Sequence, residues 1–224
     1  MSAAAGIELE AVSKRYDTPA GEVHAVEDVS LQVPAGGSLA VTGPSGCGKS
    51  TLLGLIAGLE PPSSGRVTVG GNEISALPEP ERVRLRRDGL GLVFQSDNLM
   101  PFLTAVENVG LQLAVRGTSD GYERCAGLLA ELGLGHEMDK LPDQLSGGQR
   151  QRVAVAAALV HEPRLILADE PTGSLDEDNS GVVIELLLAA QRRFGATLVV
   201  VTHDMGVAAR LERTVRIRDG RLAS

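Results

Sequence analysis

The sequence predicts an α/β fold built on a mainly parallel sheet, with an antiparallel β lobe near the N-terminus and a helical insertion in the middle. Three observations carry this expectation. Two continuous apolar runs in the last third, RLILADE and TLVVVTHD, are separated by a helical stretch, the pattern of strands buried on both faces of a parallel sheet. A glycine-rich loop, GPSGCGKS, lies between the strand-like SLAVT and an apolar helix. The N-terminal region alternates as strands do, whereas roughly 102–160 shows the spacing of helices.

Taken in order, IELEAV from Ile7 and VSLQV, with Val29, Leu31 and Val33 on one face, read as strands. SLAVT from Ser38 is the next, and turn-rich stretches such as DTPAGE separate them. The helix after the glycine loop stops at Gly58, ahead of Pro61 and Pro62. RVTVGG and LGLVF read as further strands, and TAVENVGLQLAV, YERCAGLLAELG and GGQRQRVAVAAALV as helices. The chain then predicts the strand RLILADE, a helix over about 177–193, the strand TLVVVTHD and a short helix. It closes on a hairpin, TVRIRDGRL, turning at Asp219 and Gly220. The expected organisation is a single domain over 1–224 with a helical subdomain at about 97–160.

Composition narrows the function. With 224 residues, 43% hydrophobic and 22% charged, the chain is globular and long enough to bury a real core. No apolar run approaches the roughly 18 residues of a membrane-spanning helix. The opening MSAAAGIELE lacks the basic start and apolar core of a signal peptide, so a cytoplasmic location is expected. Two cysteines, Cys47 and Cys125, are too few for a disulfide scaffold, and reduced thiols are expected. A net charge of -8 argues against non-specific nucleic-acid binding, and 2% aromatic residues argue against a base-stacking platform. No nucleic-acid partner is expected.

The chemistry-bearing residues fall in three stretches. Gly43, Pro44, Ser45, Gly46, Cys47, Gly48, Lys49 and Ser50 form a complete P-loop, with Thr51 next in the helix it opens. The glycines let successive backbone N–H groups face phosphate oxygens, and the helix N-terminus adds its dipole. Lys49 is placed to reach the β and γ phosphates and Ser50 to hold Mg²⁺. The run LILADE, Leu165 to Glu170, ends a buried strand in two carboxylates. Such acids often merely cap a helix. Behind a P-loop they read instead as Asp169 on Mg²⁺ and Glu170 polarising the attacking water. The third stretch is LSGGQ, Leu145 to Gln149, opening the helix GGQRQRVAVAAALV.

With LSGGQ in place the chain resembles, from end to end, the nucleotide-binding subunits of ABC transporters. The implied fold is a P-loop NTPase core with an N-terminal antiparallel β subdomain and an inserted α-helical subdomain. The resemblance implies that Ser146, Gly147, Gly148 and Gln149 bind nucleotide held by the P-loop of a second ABC subunit, an identical chain or a paralogue. It further implies that Gln95 senses Mg²⁺ and couples to the membrane partner, and that SLD, Ser174 to Asp176, crosses the dimer interface near the partner's P-loop. His203 looks like the histidine that contacts the γ phosphate, and Tyr16 like the aromatic that stacks on adenine. The implied cofactors are ATP and Mg²⁺, and the implied partner is a separately encoded integral-membrane permease holding the chain at the inner face of the cell membrane.

The flanks GPSGCGKSTLLGLIAGLEPPSSGRV, NLMPFLTAVENV and LADEPTGSLD are similar to the lipoprotein-release, macrolide-export and cell-division group. That group implies a permease with few transmembrane helices and a large extracytoplasmic domain, often transmitting motion. Three departures stand out: Asp97 where the group often has an aromatic, Ala157 in place of a common arginine, and Gly37 with Ser38 in place of Gly-Glu. A soluble ABC ATPase acting on nucleic acid or ribosomes would call for a long heptad insertion or a second cassette, and neither is present. A clamp that binds ATP without hydrolysis would dispense with Glu170 or His203, and both are present.

Overall fold

The computed structural model describes residues 4–19, 21–118 and 121–223. β1 (Ile7–Thr18) and β2 (Gly21–Val33) form an antiparallel pair, with Ile7 opposite Val33, Leu9 opposite Leu31 and Val12 opposite Val29. Pairing continues through Tyr16–Val23, Asp17–Glu22 and Thr18–Gly21, so most of the stretch expected as a turn, DTPAGE, is strand. The register shifts three times between Leu9 and Arg15. At one shift Gly65, with φ +84°, leaves room for the Ala11 carbonyl, which a Cβ there would approach to 2.3 Å.

β3 (Ser38–Thr42) leaves this lobe and enters the main sheet. α1 (Lys49–Ile56) follows, and then β4 (Ser64–Val69) and β5 (Asn72–Glu73) return to complete a four-stranded antiparallel sheet in the order β2-β1-β4-β5. α2 (Glu79–Gly89) leads to β6 (Leu90–Val93), and α3 (Ala105–Ala114), α4 (Tyr122–Glu131) and α5 (Gly147–Leu159) follow. The chain ends with β7 (Leu165–Asp169), α6 (Glu177–Phe194), β8 (Thr197–Val201), α7 (Met205–Ala208), β9 (Arg213–Arg218) and β10 (Arg221–Ala223).

The main sheet has the order β10-β9-β3-β8-β7-β6, and every pairing in it is parallel except β9 with β10. From β3 the chain crosses to the far strand β6, works back through β7 and β8, then passes β3 to β9. This reversal makes the C-terminal end of β3 a topological switch point, where α/β sheets open a crevice for ligands.

Alternation along the strands divides the core in two. Leu39 and Val41, Leu165 and Leu167, and Val199 and Val201 pack with α1 and the antiparallel lobe. Ala40, Ile166, Ala168, Leu198 and Val200 face α5 and α6, against Val155, Leu159, Ile184 and Leu187. A third cluster joins α3, α4 and α5 through Val109, Leu113, Leu129 and Val153. Each fully buried Leu or Ile contributes about 1.5–3 kcal/mol relative to exposure.

Among the described residues α2 is the one helix of more than a turn that the apolar periodicity did not predict. It buries none of its residues, and Val83 is 45% exposed. What holds it is charge: Glu79 binds Arg82 and Arg86, and Arg86 donates to the Gly58 carbonyl at the end of α1. Pro80 in the first turn, with Glu79 and Glu81, and Arg86 and Arg87 in the last turn, are the only local signals for it.

His161, just past α5, reaches the first residue of β6, with Nε2 3.2 Å from the Leu90 carbonyl. Its Nδ1 is buried without a partner. Burial, and next the Arg116 guanidinium, with Arg124 adding less, pull its pKa down to about 4 against an ordinary 6.5, so the imidazole is neutral and Nε2–H donates. Because the folded value lies below the unfolded one, this contribution is complete above pH 6.5 and is lost as pH falls toward 4. Urea unfolding at pH 7 and pH 4.5 is therefore expected to show an acid loss of up to about 3 kcal/mol that His161→Gln does not share.

Candidate functional site

The glycine loop fills the crevice at the end of β3. Gly43, Gly46 and Gly48 have φ of +151°, +76° and +101°, values that only glycine adopts without strain. A Cβ on Gly43 would lie 2.2 Å from the Ile217 carbonyl oxygen, and one on Gly48 2.0 Å from that of Ala25, so the loop is wedged between β9 and β2. Gly46 faces open space, and Pro44 and Ser45 beside it are exposed. Gly220 N–H donates to the Cys47 carbonyl at 3.1 Å, fastening the loop to the terminal hairpin, while the Cys47 side chain is buried.

α1 begins at Lys49 with no side chain capping its N-terminus, which leaves first-turn amides available to an anion. Lys49 is 7% exposed, and its ammonium donates to the Gly43 and Pro44 carbonyls at 2.9 and 3.0 Å. A buried cation satisfied by its own loop sits where a phosphate would be held.

The ends of β7 and β8 bring the acids to the same place. Asp169 is pushed above the usual carboxylate range, first by burial and next by the neighbouring Glu170, against a Ser50 hydrogen bond and the Lys49 charge. Its Oδ1 is buried without a partner, the kind of orphaned acceptor that a bound cation satisfies. Glu170 has φ +47°, a left-handed conformation costing about 1–2 kcal/mol in a residue with a side chain. The turn that imposes it is pinned by Glu170 N–H on the Val201 carbonyl at 2.9 Å and Gly173 N–H on the Glu170 carbonyl at 3.0 Å. The Glu170 side chain is 16% exposed, and His203 Nδ1 donates to Oε2 at 2.9 Å. Gln95, after β6, lies against Gly173, where a Cβ would come 3.0 Å from Nε2. Gln95, Asp97, Gly147, Arg150, Asp169 and Ser174 line one cleft of about 580 Å³.

Ser146 caps α5 in a reciprocal box: Gln149 N–H donates to Oγ at 3.2 Å, and Ser146 N–H to Gln149 Oε1 at 2.8 Å. Gly148 touches α6, where a Cβ would fall 2.5 Å from Asn179 Oδ1. Asp176 caps α6 by accepting from Asn179 N–H at 2.8 Å, so Asp176 and the Ser146–Gln149 stretch meet through Asn179. Among the described residues no hydrogen bond or ion pair links Ser146–Gln149 to the 43–51 loop. Tyr16 is half-buried on β1, and its hydroxyl donates to Glu60, just beyond α1.

The structure thus gathers Lys49, Ser50, Asp169, Glu170 and His203 at the strand ends, with Gln95 beside them. It adds contacts that the sequence reading did not single out. Gln151, 2% exposed, donates to the Phe94 carbonyl at 3.0 Å. Asp97, noted only as a departure, accepts from Arg150 Nε at 2.8 Å and so ties the Gln95 loop to α5. Both partners lie far off in sequence, so no local pattern marks them. Substitution of Gly48 by Ala is expected to abolish ATP binding and to lower stability by about 2 kcal/mol or more, because both φ and the Ala25 carbonyl oppose a side chain. Titration calorimetry and thermal melting check this.

Residues 26–173 match a family profile described as ABC transporter. The chain is 43% identical over 222 residues to the lipoprotein-releasing system ATP-binding protein LolD of Xanthomonas oryzae pv. oryzae, covering 98% of this chain and 91% of that one. It is 44% identical over 220 residues to the macrolide export ATP-binding/permease protein MacB of Hyphomonas neptunium, covering 97% of this chain and 34% of that longer one. Among solved structures it is similar to the ATP-binding cassette MJ0796 in a dimeric post-hydrolysis state bound to ADP and Pi, at 38% identity and TM-score 0.90, with 97% of each chain covered. The glycine loop at the switch point, the acids at the strand ends and these likenesses converge: the chain belongs to the ABC transporter family, as an ATP-binding and ATP-hydrolysing subunit.

Proposed function

We propose that the chain, acting as one nucleotide-binding domain, closes against a second ABC subunit around two ATP molecules and so drives a membrane permease. The observation that carries this reading is the gathering of Lys49, Ser50, Asp169, Glu170 and His203 at one end of the sheet, while among the described residues the capped N-terminus of α5 makes no bond to that cluster in its own chain. A phosphate in the loop takes the Lys49 ammonium from the Gly43 and Pro44 carbonyls and accepts from the first amides of α1. Ser50, Asp169 and Gln95 are the residues that would hold Mg²⁺, and the orphaned Asp169 Oδ1 fits a cation. The metal supplies neutralisation of the charge that develops on the phosphates.

Hydrolysis joins a water oxygen to the γ phosphorus and breaks its bond to the bridging oxygen, which leaves with ADP. Glu170 is the general base that takes the water proton, oriented by His203 on Oε2. His203, 69% exposed, is free to turn toward the γ phosphate. The Ser146 cap and the amides of Gly147 and Gly148 present a helix N-terminus to the γ phosphate of nucleotide held by the opposite chain, and Asp176, packed beside them through Asn179, faces the same interface. ADP lacks that phosphate, so the closed pair is favoured only before hydrolysis.

The relatives named for lipoprotein release and for macrolide export support a place on an export or mechanotransmission permease at the inner face of the cell membrane. Among the described residues no helix is long and apolar enough to cross a membrane. Phe102, 73% exposed and close in sequence to Gln95, supplies an apolar contact for such a partner.

ATP turnover per chain is expected to rise with protein concentration, checked by steady-state phosphate release over a wide dilution range. Glu170→Gln is expected to lower turnover by about 10²–10⁴-fold while keeping ATP affinity. Lys49→Ala is expected to lose ATP binding itself, read by calorimetry.

A further inference from the structure

Tyr16 is held by two residues to which the proposed mechanism gives no part. Its hydroxyl donates a hydrogen bond to Glu60 Oε1, just beyond α1. The other oxygen, Glu60 Oε2, lies 2.7 Å from Lys14 Nζ. The same ammonium donates to the Pro61 carbonyl at 2.9 Å and stands over the Tyr16 ring, 5.1 Å from its centroid. Each of the three side chains therefore contacts the other two. Burial disfavours charge on Glu60, but the hydrogen bonds from Lys14 and Tyr16 outweigh it and hold the carboxyl below its ordinary pKa. The carboxylate thus stays ionised and able to accept both bonds. Glu60 follows closely on α1 (Lys49–Ile56), so the triad lies at the far end of the helix that opens at the glycine loop.

A ring contributes to stacking in proportion to how little freedom it must surrender, and parking one side chain beforehand is worth about two- to ten-fold in affinity. A cation over one face of a tyrosine leaves the opposite face for a base. We propose that Glu60 and Lys14 are positioning residues for the adenine of ATP: Glu60 fixes the Tyr16 ring through its hydroxyl, Lys14 covers one face, and the other face receives the base. This rests on the reading of Tyr16 as the adenine contact.

Calorimetry with ATP and with inorganic tripolyphosphate, which carries phosphates but no base, separates the possibilities. In the full chain Glu60→Ala is expected to weaken ATP about two- to ten-fold and Tyr16→Ala about ten-fold or more, both leaving tripolyphosphate unchanged. The double variant is expected to match Tyr16→Ala alone, since Glu60 acts only through that ring. Glu60→Gln, which keeps an acceptor for the hydroxyl, is expected to restore most of the ATP affinity; retained tripolyphosphate binding shows that each variant is folded. Native ATP affinity in Glu60→Ala beside a weakened Tyr16→Ala overturns the positioning role and spares the stacking. Equal weakening of ATP and tripolyphosphate in Glu60→Ala also overturns it, making Glu60 a support of α1. Native ATP affinity in Tyr16→Ala overturns the stacking reading itself.

Discussion

Everything in this chain is arranged around one constraint: a loop that offers backbone amides to a charged ligand must be held rigid without a side chain to hold it. Gly43 and Gly48 meet the constraint by contact, each with a carbonyl pressed where a Cβ would stand. Those carbonyls belong to β9 and β2, so the loop depends on the terminal hairpin and on the antiparallel lobe at once. The lobe in turn is packed on the main sheet through Leu9, Leu31 and Val67 in the cluster shared with Leu39 and Val41. Lys49, buried within the loop, is satisfied by the Gly43 and Pro44 carbonyls, whereas Asp169, half-buried opposite it, keeps one oxygen without a partner, a cost that a ligand offsets.

The order of strands decides what stands opposite the loop. Because β3 lies between β8 and β9, the connections after β3, β7 and β8 all leave from neighbouring strand ends. The turn after β7 is forced into a left-handed conformation at Glu170, and the end of β8 brings His203 onto its carboxylate. Backbone strain and an oriented carboxylate coincide at one residue, as they do where a fold stores strain for chemistry.

Much of this was legible in the sequence, and the reasons differ by element. β3, the loop and α1 are contiguous, so residue order alone displays them. The parallel core was legible because strands buried on both faces leave uninterrupted apolar runs such as RLILADE. The N-terminal pair ran longer than expected because cross-strand pairing at Asp17–Glu22 and Thr18–Gly21 overrode turn-forming residues. α2 left no apolar stripe to read, since ion pairs rather than burial hold it. At the site the single motifs were legible, but their mutual contacts were not: Gly148 with Asn179, Asp97 with Arg150 and Tyr16 with Glu60 each join stretches far apart in the chain. Only the fold brings such pairs together, and one sequence holds no record of them.

The same geometry leaves the loop and the Ser146 cap as separate halves, which in the proposed function nucleotide joins between two chains. Light scattering on Glu170→Gln, with and without saturating ATP, beside the same chain also carrying Ser146→Arg, is the most direct measurement of that claim. The first is expected to pass from monomer to dimer on adding ATP and the second to stay monomeric while still binding ATP. A Glu170→Gln chain that remains monomeric in ATP, or a Ser146→Arg chain that dimerises equally well, would contradict it.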